Sequence, residues 1–350
     1  MIDRGEGRAE GRDEPLGTIR AHAPGRVNLI GDHTDYLGGL AMPMAIDLGT
    51  TIVGTPLTDR IRLRSDGFAG VVDLPLVVDD PATVEPAWGR YVAGVAAVLR
   101  PARGINGAVS TTIPVGTGLS SSAALELAVA LAVGASGTTL ELALACQEAE
   151  QRASGVPCGV MDQLTSAGGV EGHALLIDFR TLEVEPVAVP DGATIVVVHS
   201  GQERELALSA YAERRAELEA AETRIGPLRD ASTDDLRRLA DPRLRARARH
   251  VITENERVLA FAEAFRVGDL AGAGAHMTEA HASFRDDLEA STPVVDALVQ
   301  RLTTTPGVLG ARLTGGGFGG CVVALCEPGV ATEDWGRSWI VHAAAGAHLE

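Results

Sequence analysis

The stretch TTIPVGTGLSSSAALELAVALA, which begins at Thr111, sets two glycines and three consecutive serines just before an apolar run. Gly116 and Gly118 carry no Cβ, so backbone N–H groups around them can converge on an anion. The helix predicted to start near Leu119 adds unpaired N–H donors and a partial positive charge at its N-terminus. Ser120, Ser121 and Ser122 add hydroxyls, one of which could ligate a phosphate-bound Mg²⁺. One serine suffices to cap a helix, so an isolated turn of this kind reads as a cap. Three serines after two glycines, in a chain without lysine, shift the reading towards phosphate. A third glycine would have to replace Ser121 for a dinucleotide fingerprint, and one would have to replace Ser122 for a nucleophile elbow.

Two further glycine-rich segments hold polar side chains. In APGRVNLIGDHTDYLGGLAMPMAID, residues 23–47, Asp32, His33 and Asp35 lie between Gly31 and the pair Gly38-Gly39. Acceptors and donors alternating on a rigid loop suit a polyhydroxylated ligand, each of whose hydroxyls needs a partner once out of water. A solvated polar turn has the same composition. In LTGGGFGGCVVALCE, residues 313–327, five glycines surround Phe318 ahead of a β-branched run. Such a loop lets a ligand or another segment approach the backbone closely, or makes a tight interdomain turn. Between these segments, in CQEAEQRASGVPCGVMDQLTSAGG, Glu148 and Glu150 end a helix and Asp162 opens the next. An acid in a first turn is ordinary helix chemistry unless the rest of the chain supplies a reaction.

Composition narrows that chemistry. All 30 basic residues are arginine, so Walker-type phosphate loops, kinase strand lysines and Schiff bases are excluded. A formal net charge of −17 with no basic block argues against nucleic acid or anionic membrane as a partner. No apolar run reaches membrane-spanning length, and four cysteines without ligand spacing suggest neither a disulfide framework nor a zinc site. A cytoplasmic protein is expected.

The elements that must carry these residues follow from periodicity. Strands are predicted at GTIRAHA, RIRLRS, GAVSTTIP, HALLIDF and TIVVVHS, with helices over 89–100, 119–134 and 138–153 between them. Long amphipathic helices follow over 204–224, 242–266, 268–289 and 292–302, and then strands at GARLTGGG, CVVALCE and SWIVHAA. The fold class is α+β in two lobes. A disordered arm is expected over 1–17, an N-terminal lobe over 18–190 and a C-terminal lobe over 191–350.

Taken in order, GRVNLIGDHTDY, PVGTGLSSSA and LTGGGFGGCVVAL resemble the three signature motifs of the GHMP small-molecule kinases, and within them the galactokinases. QEAE, CGVMDQLTS, SAYAERRAE, RARHVITENERV and EAHASFRDD match as well, so the resemblance runs from about Arg20 to Leu325. It implies the family's two-lobed fold with the active site in the cleft between lobes. It also implies ATP and Mg²⁺, and transfer of the γ-phosphate to the anomeric hydroxyl of D-galactose. Asp162 resembles the catalytic aspartate and Arg26 the arginine that pairs with it. Asp32, His33, Thr34, Asp35, Gly159 and Tyr211 match sugar-binding positions. Gly116, Thr117, Gly118, Leu119, Ser120, Ser121 and Ser122 match the triphosphate loop, and Ser65 a nucleotide contact. Ser122 and Glu150 match the Mg²⁺ ligands.

The sugar loop of these kinases usually reads Gly-Glu-His-Thr-Asp-Tyr-Asn, whereas this chain has Asp32 and Leu37. An aspartate reaches one methylene less far, roughly 1.5 Å, more than an ordinary hydrogen bond can stretch. A kinase for a related sugar, such as N-acetylgalactosamine or arabinose, is the alternative. A non-catalytic sugar sensor is a third reading, which the intact GLSSSA and Asp162 disfavour. After CVVALCE the chain leaves little room for a helix ahead of the last strand.

Overall fold

The periods written in the sequence become strands and helices in the computed structural model, which describes residues 17–114, 116–202 and 207–350. The expected arm over 1–17 lies, Gly17 apart, outside the described residues. Strand β1 (Ile19–Asn28) leads through a polar loop to β2 (Leu40–Ala41) and the long β3 (Pro43–Leu57). β4 (Arg60–Ser65) and β5 (Val71–Pro75) form a hairpin, and α1 (Gly89–Leu99), β6 (Gly104–Thr111) and α2 (Ser121–Ala132) follow. Then come α3 (Thr139–Ser154), α4 (Met161–Gly168), β7 (His173–Asp178), β8 (Glu183–Ala188) and β9 (Thr194–His199). The remainder comprises α5 (Ala207–Ile225), α6 (Pro242–Val267), α7 (Leu270–Asp286), α8 (Pro293–Thr303), β10 (Val308–Leu313), β11 (Cys321–Cys326), β12 (Ser338–Val341) and β13 (His348–Leu349).

Three sheets organise these elements. Six strands run in the order β13-β1-β3-β6-β4-β5, four in the order β10-β11-β9-β12, and β2-β7-β8 make a small third sheet. Helices α2 and α4 pack on the first sheet beneath α1 and α3, while α7 and α8 pack on the second beside α5 and α6. Two large apolar cores result, one centred on Val27, Ile52 and Leu127, the other on Val198, Phe284 and Leu313. The local sequence explains the clean helix starts. Thr138 and Glu141 form a capping box for α3, and Asp241 caps α6 with Pro242 at its first position.

Two expectations need correction. The segment Pro43–Asp47, read as part of a loop, opens the 15-residue strand β3. Its first four residues are all buried, so it shows no alternation, and its interior glycines and Pro56 mimic turn composition. The last residues do not stay in the C-terminal lobe. β13 pairs with Ala21 and His22 of β1, and Ala343 bridges Ile46, so the chain ends on the first sheet. The short stretch ahead of β12 has, as expected, no room for a full helix and holds a three-residue 3₁₀ turn, Glu333–Trp335, whose Trp335 fills the second core. No described helix is long and apolar enough to cross a membrane.

Candidate active site

Arg26 projects from β1 just after a register shift between Pro24 and Arg26. The irregularity turns a buried strand side chain towards the first turn of α4. There its Nε donates to Asp162 Oδ1 at 2.8 Å and its Nη2 to Asp162 Oδ2 at 2.6 Å. This is the planar two-point pairing that a guanidinium makes best. Arg26 is 4% exposed, whereas the Asp162 side chain is 28% exposed. The carboxylate therefore stays open to a ligand on one side. Arg26 Nη1 donates to the Gly118 carbonyl at 2.7 Å, which ties the serine loop to the same pair.

The three serines go separate ways. Ser120, at the N-cap of α2 in a left-handed conformation, makes no side-chain cap and instead donates to Asp162 Oδ2. Ser121 is exposed. Ser122 Oγ donates to Glu150 Oε1 at 2.8 Å. Among the described residues no side chain is bonded to the first N–H groups of α2, so the serines do not cap the helix here. Gly116 and Gly118 have φ of +74° and +76°, and a Cβ at Gly116 would meet nothing within 4 Å, so that backbone stands open. Thr117 and Leu119 are buried and face inward. Thr117 donates to the Pro114 carbonyl and Leu119 joins the first core, so they shape the loop rather than line it.

A cleft of about 950 Å³ opens beside Asp162, walled by Arg26, Asp32, His33, Asp35, Gly159, Tyr211 and the glycines 315–317. The space suits a small polar ligand. Burial first and the Asp162 carboxylate second push Asp35 up to about 6. Burial and Asp162, in the same order, push Glu150 up to about 7. His33, with φ of +61°, shares a 2.7 Å hydrogen bond with the Tyr36 hydroxyl, and its ring lies 5.0 Å from that of Tyr211. A Cβ on Gly159 would fall 1.6 Å from Asp35 Oδ2, so only glycine lets that carboxylate reach the cleft. Asp32 sits at the wall, but its carboxylate is occupied. Asn28 Nδ2 donates to Oδ1 at 2.8 Å, and Arg312 Nη2 lies 2.8 Å from Oδ2. Burial still raises Asp32 above the usual carboxylate range, against the pull of Arg312. Thr34 does not line the cleft; its hydroxyl lies 2.7 Å from the Leu40 carbonyl and 3.0 Å from that of Gly31.

Ser65, matched to a nucleotide contact in the sequence, lies in a wall whose aromatic members the sequence reading did not single out. A second cavity of about 620 Å³ is lined by Ser65, Phe68, Trp88, Tyr91, Thr111, Ser121, Ser122 and Leu125. Ser65, Trp88 and Ser121 come from different parts of the first lobe, so no local pattern joins them. The signal available was rarity. The chain has only twelve Phe, Trp and Tyr residues, and three stand between 68 and 91. Ser122 and Glu150, bonded to each other, line the second cavity and the cleft respectively, so the two spaces meet at that bond.

A family model described as the galactokinase galactose-binding signature matches residues 10–56. The GHMP kinase N-terminal and C-terminal domain models match 90–169 and 261–335. A galactokinase of Roseiflexus sp. (strain RS-1) is 44% identical, the alignment covering 93% of this chain and 88% of the relative. The galactokinase of Homo sapiens is 40% identical over 89% and 85%. The crystal structure of Lactococcus lactis galactokinase complexed with galactose superposes with a TM-score of 0.87 at 32% identity, covering 97% of each chain. A mevalonate kinase structure, 20% identical with a TM-score of 0.66 over 92% of this chain and 98% of its own, shares the fold. The chain belongs to the galactokinase family of GHMP kinases.

Proposed function

We propose that the chain transfers the γ-phosphate of ATP to the anomeric hydroxyl of D-galactose, giving galactose 1-phosphate and ADP, with Asp162 as the proton acceptor. The observation that carries this reading is the Arg26–Asp162 pair at the cleft, with Ser120 bonded to Asp162 and Ser122 bonded to Glu150 where the cleft meets the aromatic cavity. Sugar in the cleft and nucleotide in the aromatic cavity then bring the anomeric oxygen and the γ-phosphorus together beside Asp162.

In this reading the sugar O1–H gives its proton to Asp162 as O1 bonds the γ-phosphorus and the β–γ bridging oxygen leaves with ADP. Arg26 holds the carboxylate aimed at the cleft, and it contributes positive charge where the transferring group passes. An aspartate is a weak base for a hydroxyl, which is tolerable because positioning and electrostatics supply most of the acceleration in phosphoryl transfer. Asp35, His33 and Tyr211 orient the sugar hydroxyls. Gly116, Gly118, Ser121 and the open N-terminus of α2 receive phosphate oxygens, while Phe68, Trp88 and Tyr91 take the base.

Ser122 and Glu150 fit Mg²⁺, whose sites usually consist of one or two protein oxygens completed by substrate phosphates and water. Their oxygens stand together where the two cavities meet, and among the described residues no group of three or more His, Cys, Asp or Glu offers a denser cage. When bound, Mg²⁺ would neutralise charge on the phosphate oxygens. A cytoplasmic location goes with ATP as donor and with Cys146 and Cys326 buried as thiols.

ADP formation measured across D-galactose, N-acetylgalactosamine, arabinose, glucose and mevalonate tests the substrate. Galactose is expected to give the highest turnover per substrate at limiting concentration; faster turnover of another sugar would overturn that choice. Asp162→Asn is expected to lower kcat by about 10²–10⁴-fold with the galactose KM little changed. Near-normal turnover would remove Asp162 from the mechanism.

A further inference from the structure

The loop bearing Asp32, His33 and Asp35 has little regular structure beyond the 3₁₀ turn Asp35–Leu37, yet it must keep its polar side chains in fixed positions. Four of the interactions that reach it from the other half of the chain come from the buried side chains His250, Glu254, Asn255 and Arg312. Glu254 Oε1 accepts the Gly31 N–H at 3.0 Å, and Asn255 Oδ1 accepts the Leu40 N–H at 2.8 Å. His250 Nε2 donates to the Asp32 carbonyl at 3.3 Å. Arg312 Nη2 lies 2.8 Å from Asp32 Oδ2, a charge contact without hydrogen-bond alignment. His250 and Glu254 are one turn apart on α6, with Asn255 next along it, and Arg312 comes from β10. A Cβ on Gly39 would come within 2.8 Å of Asn255 Oδ1, so the missing side chain at 39 is what lets Asn255 sit against this loop.

The anchors are costly in themselves. Glu254 and Arg312 are both 0% exposed, and Arg257 Nε donates to Glu254 Oε2 at 2.8 Å. Burial alone would push Glu254 up, but Arg312 and Arg257 outweigh it and hold it below its usual value. Asp32, Glu254, Arg257 and Arg312 thus form a buried chain whose formal charges cancel. An apolar replacement of such a chain is often as stable or more so, so stability is a poor explanation for its presence. None of Glu254, Asn255 and Arg312 lines the cleft.

We infer that Glu254, with Asn255 and Arg312, is a positioning set that pins the sugar loop at Gly31 and Leu40 and so controls sugar affinity without touching the sugar. The affinity half of this inference rests on the proposed function; the anchoring half does not. The test compares Glu254→Ala with Glu254→Gln, which keeps an acceptor for the Gly31 N–H. Galactose and ATP KM are measured beside hydrogen exchange of the peptide spanning residues 29–41. Glu254→Ala is expected to raise the galactose KM about tenfold and leave the ATP KM within twofold. It is also expected to speed exchange in 29–41 but not in the 116–122 loop. Glu254→Gln is expected to recover most of both effects. If Glu254→Ala does not fold, Asn255→Ala, which removes the Leu40 anchor, must give the same pattern. Galactose and ATP KM rising together, or exchange in 29–41 unchanged, would overturn the inference. If the unaltered protein turns over no galactose, the proposed function fails, and the exchange comparison alone decides the anchoring.

Discussion

Gly159→Ala should disable sugar binding while leaving the nucleotide side intact. The added methyl would stand 1.6 Å from Asp35 Oδ2, 2.5 Å from its Cγ and 3.3 Å from its Cβ. Ordinary contact begins near 3.4 Å, so the oxygen must retreat by about 1.8 Å. The atoms in the way belong to one short side chain rather than to backbone. Asp35 therefore swings to another staggered rotamer, and the fold is kept. What is lost is a hydrogen bond from a sugar hydroxyl to a buried carboxylate, about 1.5–3 kcal/mol. At about 1.4 kcal/mol per factor of ten, this predicts a roughly ten- to hundredfold higher galactose KM. The assay is initial-rate ADP formation at varied galactose and saturating ATP, then the reverse, with a thermal melt of each protein. A galactose KM within twofold of the unaltered protein would refute the packing argument. A matching rise in ATP KM would show damage to the whole site instead.

Two other outcomes follow from the same geometry. Asp35 has its folded pKa raised from 3.8 to about 6, so the native state binds the proton more tightly than the unfolded chain. The contribution of Asp35 to the stability of the ligand-free protein should therefore fall as pH rises between about 4 and 6, and Asp35→Asn should remove that part of the slope in denaturant titrations. For the same reason, kcat/KM for galactose should drop as pH falls below about 6, because the protonated carboxyl loses its charge for the sugar hydroxyl. On the donor side, Phe68 is 42% exposed, so Phe68→Ala should cost little stability. Losing an aromatic face for the base, worth about 1–3 kcal/mol, should weaken ADP binding roughly five- to hundredfold in calorimetry, with galactose KM unchanged.

Much of this molecule is legible along the chain because its helices announce themselves locally. The apolar period and the Thr138–Glu141 box mark α3, and Asp241-Pro242 marks the start of α6, since these signals depend only on residues within a turn or two. The glycine–serine stretch and the Asp32-His33-Asp35 loop stand out for a similar reason: their residue types suit backbone approach and polar contacts wherever they end up. The absence of lysine, read from composition alone, already excluded a phosphate loop that depends on one.

Partnership is what the one-dimensional pattern could not carry. Arg26 and Asp162 are 136 residues apart and meet because a strand irregularity and a helix start face each other where α4 packs on β1. Three adjacent serines read alike, yet Ser120 turns to one carboxylate and Ser122 to another, a division set by where α3 and α4 pack. β3 was missed because strand alternation appears only when one face meets water, and its opening residues are buried throughout. Asp32 looked like a sugar ligand by position, but Arg312, 280 residues further on, claims one of its oxygens. Periodicity and composition record which face of a segment is buried and which residues could react. Packing between distant segments decides what each of them touches, and in this chain that packing separates the groups held at the cleft from those that hold them there.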